Sequence, residues 1–487
     1  MLACPGSPNR TRFAVVALVG MIALSTRTAT AEPAARRKTD STDPFGYVRA
    51  DRMNMPHGAY RVAYARMIPS FSRQTKLACS ACHYGFPELT PFGRLFKLNG
   101  YTLTALPTIV AGDSVRQTLE LAPIPPASAM IITSLTHLKT ALPGAQNDAT
   151  AFPEQLSVFL GGQVTPKIGA FTQLTYAADA GSIGIDNTEI RFADHATVGG
   201  RQVIYGLTLN NNPSMQDLWN TTPAWGFPFV TSSVAPSPAA AMQVEGAFAQ
   251  QVVGLGAYAM WDQTLYAEVT TYRSAQQGVA GPPGPTSVNA NRGVIPYWRL
   301  AVQRTFGPNY LMVGTYGLDA TLYPAGVSQF TNRFTDVGVD AQYERRLGTG
   351  ALIARTTYLH ERQSLTGSIE TAAGAPVPNP TDALNEFRIN ASYLPTTRFT
   401  FTAGYFTTTG TRDTALFAPA AVTGSAHGSP SSSGTIGEID FNAWLNTRVG
   451  AQYIRYDKFN GASLAYDGVG RNASGNNTVY VFLWVAF

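Results

Sequence analysis

Beyond residue 126 the chain alternates apolar and polar positions with a period of two, the signature of strands with two unlike faces. Sixteen segments carry the pattern, and each is predicted to be a strand. They are 130–138, 154–164, 167–178, 186–195, 201–210, 253–261, 264–273 and 297–305, then 310–320, 334–346, 351–362, 384–394, 398–409, 437–447, 449–459 and 477–487. In 384–394, Glu386, Arg388, Asn390 and Ser392 share one face, while Phe387, Ile389, Ala391 and Tyr393 share the other. Asp336, Asp340, Gln342 and Glu344 oppose Val337, Val339, Ala341 and Tyr343 in the same way, and Glu438, Asp440, Asn442 and Asn446 oppose Ile439, Phe441, Ala443 and Leu445. Segments of roughly ten residues have the length of tilted membrane strands.

The connections alternate as well. Tight ones fall at Thr165-Pro166, Asp262-Gln263, 306–309, 347–350 and 395–397. Long stretches rich in Pro, Gly, Ser and Asn fall at 211–252, 274–296, 363–383, 410–436 and 460–476. Short turns on one rim and long loops on the other are the layout of a transmembrane β-barrel. A soluble sandwich also alternates, but its loop lengths have no reason to do so. The fold class expected is therefore mainly β, an outer-membrane barrel of about sixteen strands over 127–487. A charge at mid-bilayer costs about 2–4 kcal/mol, so the apolar face is assigned to lipid and the charged face to a hydrated lumen.

Composition agrees. Of 487 residues only 13% are charged, 11% are aromatic and 45 are glycine. No apolar run reaches the ~18 residues of a spanning helix. The net charge of +5 is mild, and no basic cluster interleaves with aromatics, so nucleic acid is not an expected partner. Residues 1–31 read as a signal peptide, with Arg10 and Arg12, an apolar run from Phe13 to Leu24, and Ala29-Thr30-Ala31 before the cut. Its removal takes Cys4 and leaves two cysteines. A flexible lead-in, 32–48, follows. The last strand ends on Phe487 after alternating apolar residues, resembling the insertion signal of outer-membrane proteins. Together with an even strand count, this places both termini on the periplasmic side of a Gram-negative outer membrane.

Residues 49–126 form a separate small module around Cys79-Ser80-Ala81-Cys82-His83. Two thiols at this spacing, followed at once by histidine, are the attachment site of one covalent haem c. Cys79 and Cys82 would become thioethers, and His83 would bind the iron from the proximal side. Zinc needs four ligands, and no second cysteine or histidine pair completes a set. A redox-active pair or a disulfide has no need of His83. Thr90 to Leu98 begins like a capped helix with Pro91 at its first position, ended by Gly100. Phe71, Leu77, Phe86, Leu89, Phe92, Leu95, Phe96 and Tyr101 are candidate pocket residues; Arg73, Arg94 and Lys97 are candidates for the haem propionates or for exposed surface. No methionine lies between His83 and Met130, so the sixth ligand is open among Met53, Met55, His57, Met67, Met130 and His137.

Residues 69–75 (Pro69 to Thr75), 79–83 and 86–101 (Phe86 to Tyr101) together resemble the fused monohaem cytochrome–porins of the outer membrane of iron-oxidising bacteria. The order of leader, haem module and barrel extends the likeness over most of the chain. The resemblance implies a conduit with iron-oxidase activity: extracellular Fe(II) as donor, haem as acceptor, and a periplasmic c-type cytochrome or other soluble carrier next. It assigns no iron-binding residue in the barrel. The rivals are a diffusion porin with a redox-sensitive haem plug, and a conduit for another external donor or acceptor.

Overall fold

The computed structural model describes residues 70–103, 109–112, 117–121, 126–177, 181–275, 282–284, 289–324, 326–372, 374, 376–444 and 446–487. The leader, the lead-in, Met53, Met55, His57 and Met67 lie outside them. Ahead of the barrel come α1 (Ser70–Thr75), α2 (Cys79–Cys82), the hairpin β1 (His83–Gly85) and β2 (Glu88–Leu89), α3 (Pro91–Leu98), and a second hairpin, β3 (Ile109–Gly112) and β4 (Gln117–Leu121).

The alternating segments then close on themselves. The barrel strands are β5 Ala127–Leu138, β6 Ala149–Thr165, β7 Ile168–Ala177, β8 Ser182–Val198, β9 Arg201–Asn210, β10 Val252–Trp261, β11 Leu265–Ser274 and β12 Ile295–Phe306. They continue as β13 Asn309–Leu322, β14 Asn332–Leu347, β15 Gly350–Ser364, β16 Thr381–Leu394, β17 Phe399–Gly410, β18 Ser432–Trp444, β19 Thr447–Lys458 and β20 Thr478–Ala486. Every neighbour is antiparallel, and β20 pairs with β5 to seal the ring, Thr478 opposite Leu138 and Ala486 opposite Met130. A 12-residue strand such as β12, tilted at ~45°, spans ~28 Å, close to the height of the apolar band of such barrels.

Each predicted segment falls on its own observed strand, except that 437–447 runs on through the turn to the first residue of β19, and the ends move where the pattern is silent. β18 begins at Ser432, not 437, because Ser432-Ser433-Gly434-Thr435 offers no apolar residue to count. The turns expected to be tight are tight, and Gly307 and Gly348 take the positive φ that two of them require; a further tight turn falls at Gly199-Gly200, outside those expected. Along β14, Val337 and Val339 are 45% and 51% exposed on the outside, while Asp336 and Asp340 are 1% and 3% exposed inside. Apolar outside and charged inside is the reverse of a soluble barrel, and it suits a membrane.

The hydrated lumen expected from the sequence is corrected by the structure. Asp336, Asp340, Glu344 and Glu386 are buried, because two stretches of chain fill the space they face, while Glu438 and Asp440 line a small cavity beside Gly85, Glu88 and Phe229. One is the module around Cys79–His83. The other, 211–251, starts from the long-loop rim between β9 and β10 and folds inward. Its Trp219 is buried, donates from Nε1 to Tyr310 Oη (2.6 Å), and lies under the Arg299 guanidinium at 4.9 Å. Asp340 holds both Arg299 and Thr221. Asp336 accepts from Val244 N–H (2.8 Å) and Glu361 from Gln243 N–H (2.7 Å). These acids fasten a plug to the wall, since a buried charge must be paired or solvated by donors.

Candidate functional site

The site begins with local chemistry. Thr90 caps α3, its Oγ1 accepting from Gly93 N–H at 3.1 Å, with Pro91 at the first helical position. The capping residue also reaches back to α2: Thr90 N–H donates to Cys82 O (2.9 Å) and Thr90 Oγ1–H to Ala81 O (2.6 Å). Gly93 makes this approach possible, because a Cβ there would lie 2.1 Å from Cys82 O. Asn99 and Gly100 (φ +67°) end the helix where the sequence placed its stop. α3 thus lies directly against the turn that carries both thiols.

Cys79 and Cys82 are free, on one helical turn, with no disulfide between them. Desolvation, reinforced by Cys79, pushes the Cys82 thiol up to about 12. Among the described residues no group of three or more His, Cys, Asp or Glu is placed to hold a metal ion. The His83 imidazole donates through Nδ1 to Pro87 O at 3.2 Å, which puts the ring's lone pair on Nε2. Desolvation lowers its pKa to about 4, so the ring stays neutral. The donor set fits a covalently attached haem: two thiols outside any disulfide, then one oriented, neutral imidazole.

The surroundings place this segment inside the barrel. Ten strands around the ring reach it, seven of them through the contacts that follow. Ser70 Oγ and Gln74 Nε2 donate to Gly161 O of β6 (2.6 and 2.8 Å). Tyr101 Oη donates to Glu189 of β8 (2.5 Å), and Arg191 of β8 donates to Lys97 O (2.9 Å). Tyr258 of β10 donates to Leu98 O (2.7 Å), so two carbonyls at the C-terminal end of α3 are satisfied by the wall. Arg94 meets Glu344 of β14 at 2.6 Å and Glu88 meets Arg355 of β15 at 2.5 Å, both pairs buried. Arg448 of β19 donates to Phe86 O (3.2 Å), and Trp484 of β20 stacks on the Phe86 ring at 5.8 Å. Phe86 in turn stands 5.4 Å from His83.

The structure redistributes the residues expected around the cofactor. Phe71, Phe96 and Tyr101 form one aromatic cluster between α1, α3 and β7, with Phe71 and Phe96 5.2 Å apart and Tyr101 6.4 Å from Phe171. Of the three cations proposed for propionates, Arg94 is held by Glu344 and by the Tyr310 ring (4.5 Å). Arg73 is bonded to Ala127 O. Lys97 donates to Met215 O (2.6 Å) and Asp217 O (3.1 Å) of the inward loop. Their side chains bind protein, and none of the three is a surface charge. Desolvation brings Lys97 down to about 8.

Two sixth-ligand candidates lie within the described residues. Met130 is buried on the lumen side of β5, in a cluster that includes Trp484, which itself touches Phe86. His137 is not brought to the motif: it sits on the opposite face near the long-loop end of β5, exposed and bonded to Asp148 at 2.5 Å. Sequence reasoning missed Pro87, Glu88, Glu189, Arg191 and Arg355 as parts of the site. The inward parity of Arg191 and Arg355 was visible, but their partners lie far off in the chain.

No protein-family model and no curated protein matches the chain. Among solved structures it is similar to the OmpF of Salmonella typhi in complex with daunomycin, at 11% identity and a TM-score of 0.43, over 74% of this chain and 97% of that one. An anion-selective porin from Comamonas acidovorans matches at 11% identity and 0.42, over 74% and 98%. The trimer form of OmpT from Vibrio cholerae matches at 11% and 0.41, also over 74% and 98%.

Proposed function

We propose that the chain is an outer-membrane electron conduit that accepts electrons from extracellular Fe(II) and passes them to a soluble carrier in the periplasm. The observation that carries this reading is the Cys79–His83 segment, tied into the lumen of a closed barrel by strands all round the ring. Haem c supplies there a one-electron acceptor that needs no acid–base catalyst. Cys79 and Cys82 would attach it, and His83 would offer its imidazole to the iron. Pro87 O sets the plane of the imidazole, and Phe86, itself stacked on Trp484, stands beside it. The Arg94–Glu344 and Glu88–Arg355 pairs fix the depth of the segment, and tunnelling rates fall steeply with distance. Of the two sixth-ligand candidates within the described residues, Met130 is the one that faces the lumen.

A filled lumen favours electrons over solutes as the cargo. The module and the inward loop meet at Lys97, and Arg355 joins both through Glu88 and Trp219 O (3.0 Å). Fe(II) as donor rests on the family resemblance, and on the need to leave an insoluble ferric product outside the cell. Stopped-flow mixing of purified protein with Fe(II) tests it. The haem bands are expected to reduce within the mixing experiment, and no reduction between acidic and neutral pH removes Fe(II) as the donor.

A further inference from the structure

The tight-turn rim is unevenly charged. On one side its cations are matched: Lys167 pairs with Asp194 at 2.6 Å and Arg201 with Asp262 at 2.8 Å. From β12 to β17 the same rim carries Arg304, Arg345, Arg346 and Arg398, all exposed. Among the described residues no carboxylate forms an ion pair with any of these four.

Strand parity divides them. Arg304 and Arg345 fall on the lipid side with Val302 and Tyr343. Arg346 shares the face of Gln342 and Glu344, which are buried in the lumen. Arg398 extends the ladder by one residue, Asn442 N–H donating to its carbonyl at 2.7 Å, and it stands in line with the inward Thr400. These two therefore ring the mouth. Directly behind them lies the residue after His83: Tyr84 packs on Ala351, Ile353 and Leu394, donates to Glu344 (2.9 Å), and feels the charge of Arg346.

We propose that Arg346 and Arg398 form the docking site of an acidic soluble redox protein at the tight-turn mouth. The inference rests on the conduit reading and specifies the surface and charge of its partner. Three strand spacings separate the two arginines, roughly 14 Å, which fits within a standard interface of about 800 Å² per partner. Exposed guanidinium groups without carboxylates of their own are prepared for bidentate bonds to a partner's acids, and they steer it from a distance. Lipid phosphate would instead be met by the outward pair, Arg304 and Arg345.

The test compares the native chain with Arg346→Glu/Arg398→Glu and Arg304→Glu/Arg345→Glu in zwitterionic nanodiscs. The probe is a labelled, natively acidic soluble cytochrome c, followed by fluorescence anisotropy against ionic strength, with a basic cytochrome c as control. Reversing the mouth pair should weaken acidic binding about tenfold at low salt, flatten its salt dependence, and strengthen binding of the basic probe. Reversing the lipid-side pair should change either by less than about twofold. Unchanged affinity in the mouth variant overturns the proposal, as does an equal loss in both variants. A loss confined to the lipid-side pair, especially one restored by anionic phospholipid, also overturns it and assigns the arginines to lipid. Haem absorbance is read on the same samples, so a chain without haem would remove the conduit reading while leaving the binding isotherm interpretable.

Discussion

At the scale of single residues, the site is three side chains whose spacing does most of the work. Cys79, Cys82 and His83 could be proposed from the sequence because their geometry is local: one helical turn, then the next residue. Replacing Cys82 with Ser should abolish stable covalent haem, read as loss of peroxidase-stained signal after denaturing electrophoresis, while the barrel still inserts. Full covalent haem in that variant would refute the attachment. Lys97 was legible only as a cation, because Met215 and Asp217 approach it through the fold. Its burial has a pH consequence. The folded pKa, about 8, lies below the ordinary 10.5, so between those values the unfolded chain holds the proton and the folded chain does not. Stability therefore rises with pH across that window. Amide exchange of α3 should slow from pH 8 to 10.5, after correction for intrinsic rates, in the native chain but not in Lys97→Met. Parallel profiles would contradict the placement of Lys97.

At the scale of elements, strands and helices differ in how they could be read. Strands β5–β20 announced themselves by alternation, which needs only that one face meet lipid. Helix α3 announced itself by Thr90, Pro91 and Gly100. Nothing in 211–251 announced that it turns inward, because its Trp219, Met242 and Phe248 carry no period and read as loop. The Arg94–Glu344 and Glu88–Arg355 pairs were equally invisible, their members lying on separate elements hundreds of residues apart. Breaking one should be costly. Arg94→Met leaves Glu344 buried without its cation, a loss of about 3–5 kcal/mol in docking of the module, read as protease sensitivity near α3. Replacing both residues with apolar ones should cost much less; equal sensitivity in single and double variants would contradict a paired charge. Gly169 of β7 gives a steric test of the same docking. A Cβ there would lie 1.9 Å from Gly100 O, so Gly169→Ala should displace the end of α3 and raise its amide exchange, with the barrel's heat-modifiable gel mobility unchanged.

At the scale of the whole molecule, a closed cylinder with an apolar exterior is filled by two segments of its own chain. Alternation showed the cylinder, and it could not show the filling, because a charged face looks the same whether it meets water or a plug. The filled lumen implies that liposomes carrying the protein admit small sugars no faster than protein-free ones. Removing 213–249 should open a measurable conductance. Rapid sugar entry with the intact chain would favour the porin. The central claim is that electrons cross where solutes do not. Its most direct measurement uses sealed proteoliposomes, with Fe(II) added outside and oxidised cytochrome c trapped inside. Reduction of the trapped cytochrome, lost in Cys82→Ser, is the expected result; a trapped pool that stays oxidised while the barrel is inserted and its haem is present would contradict the account.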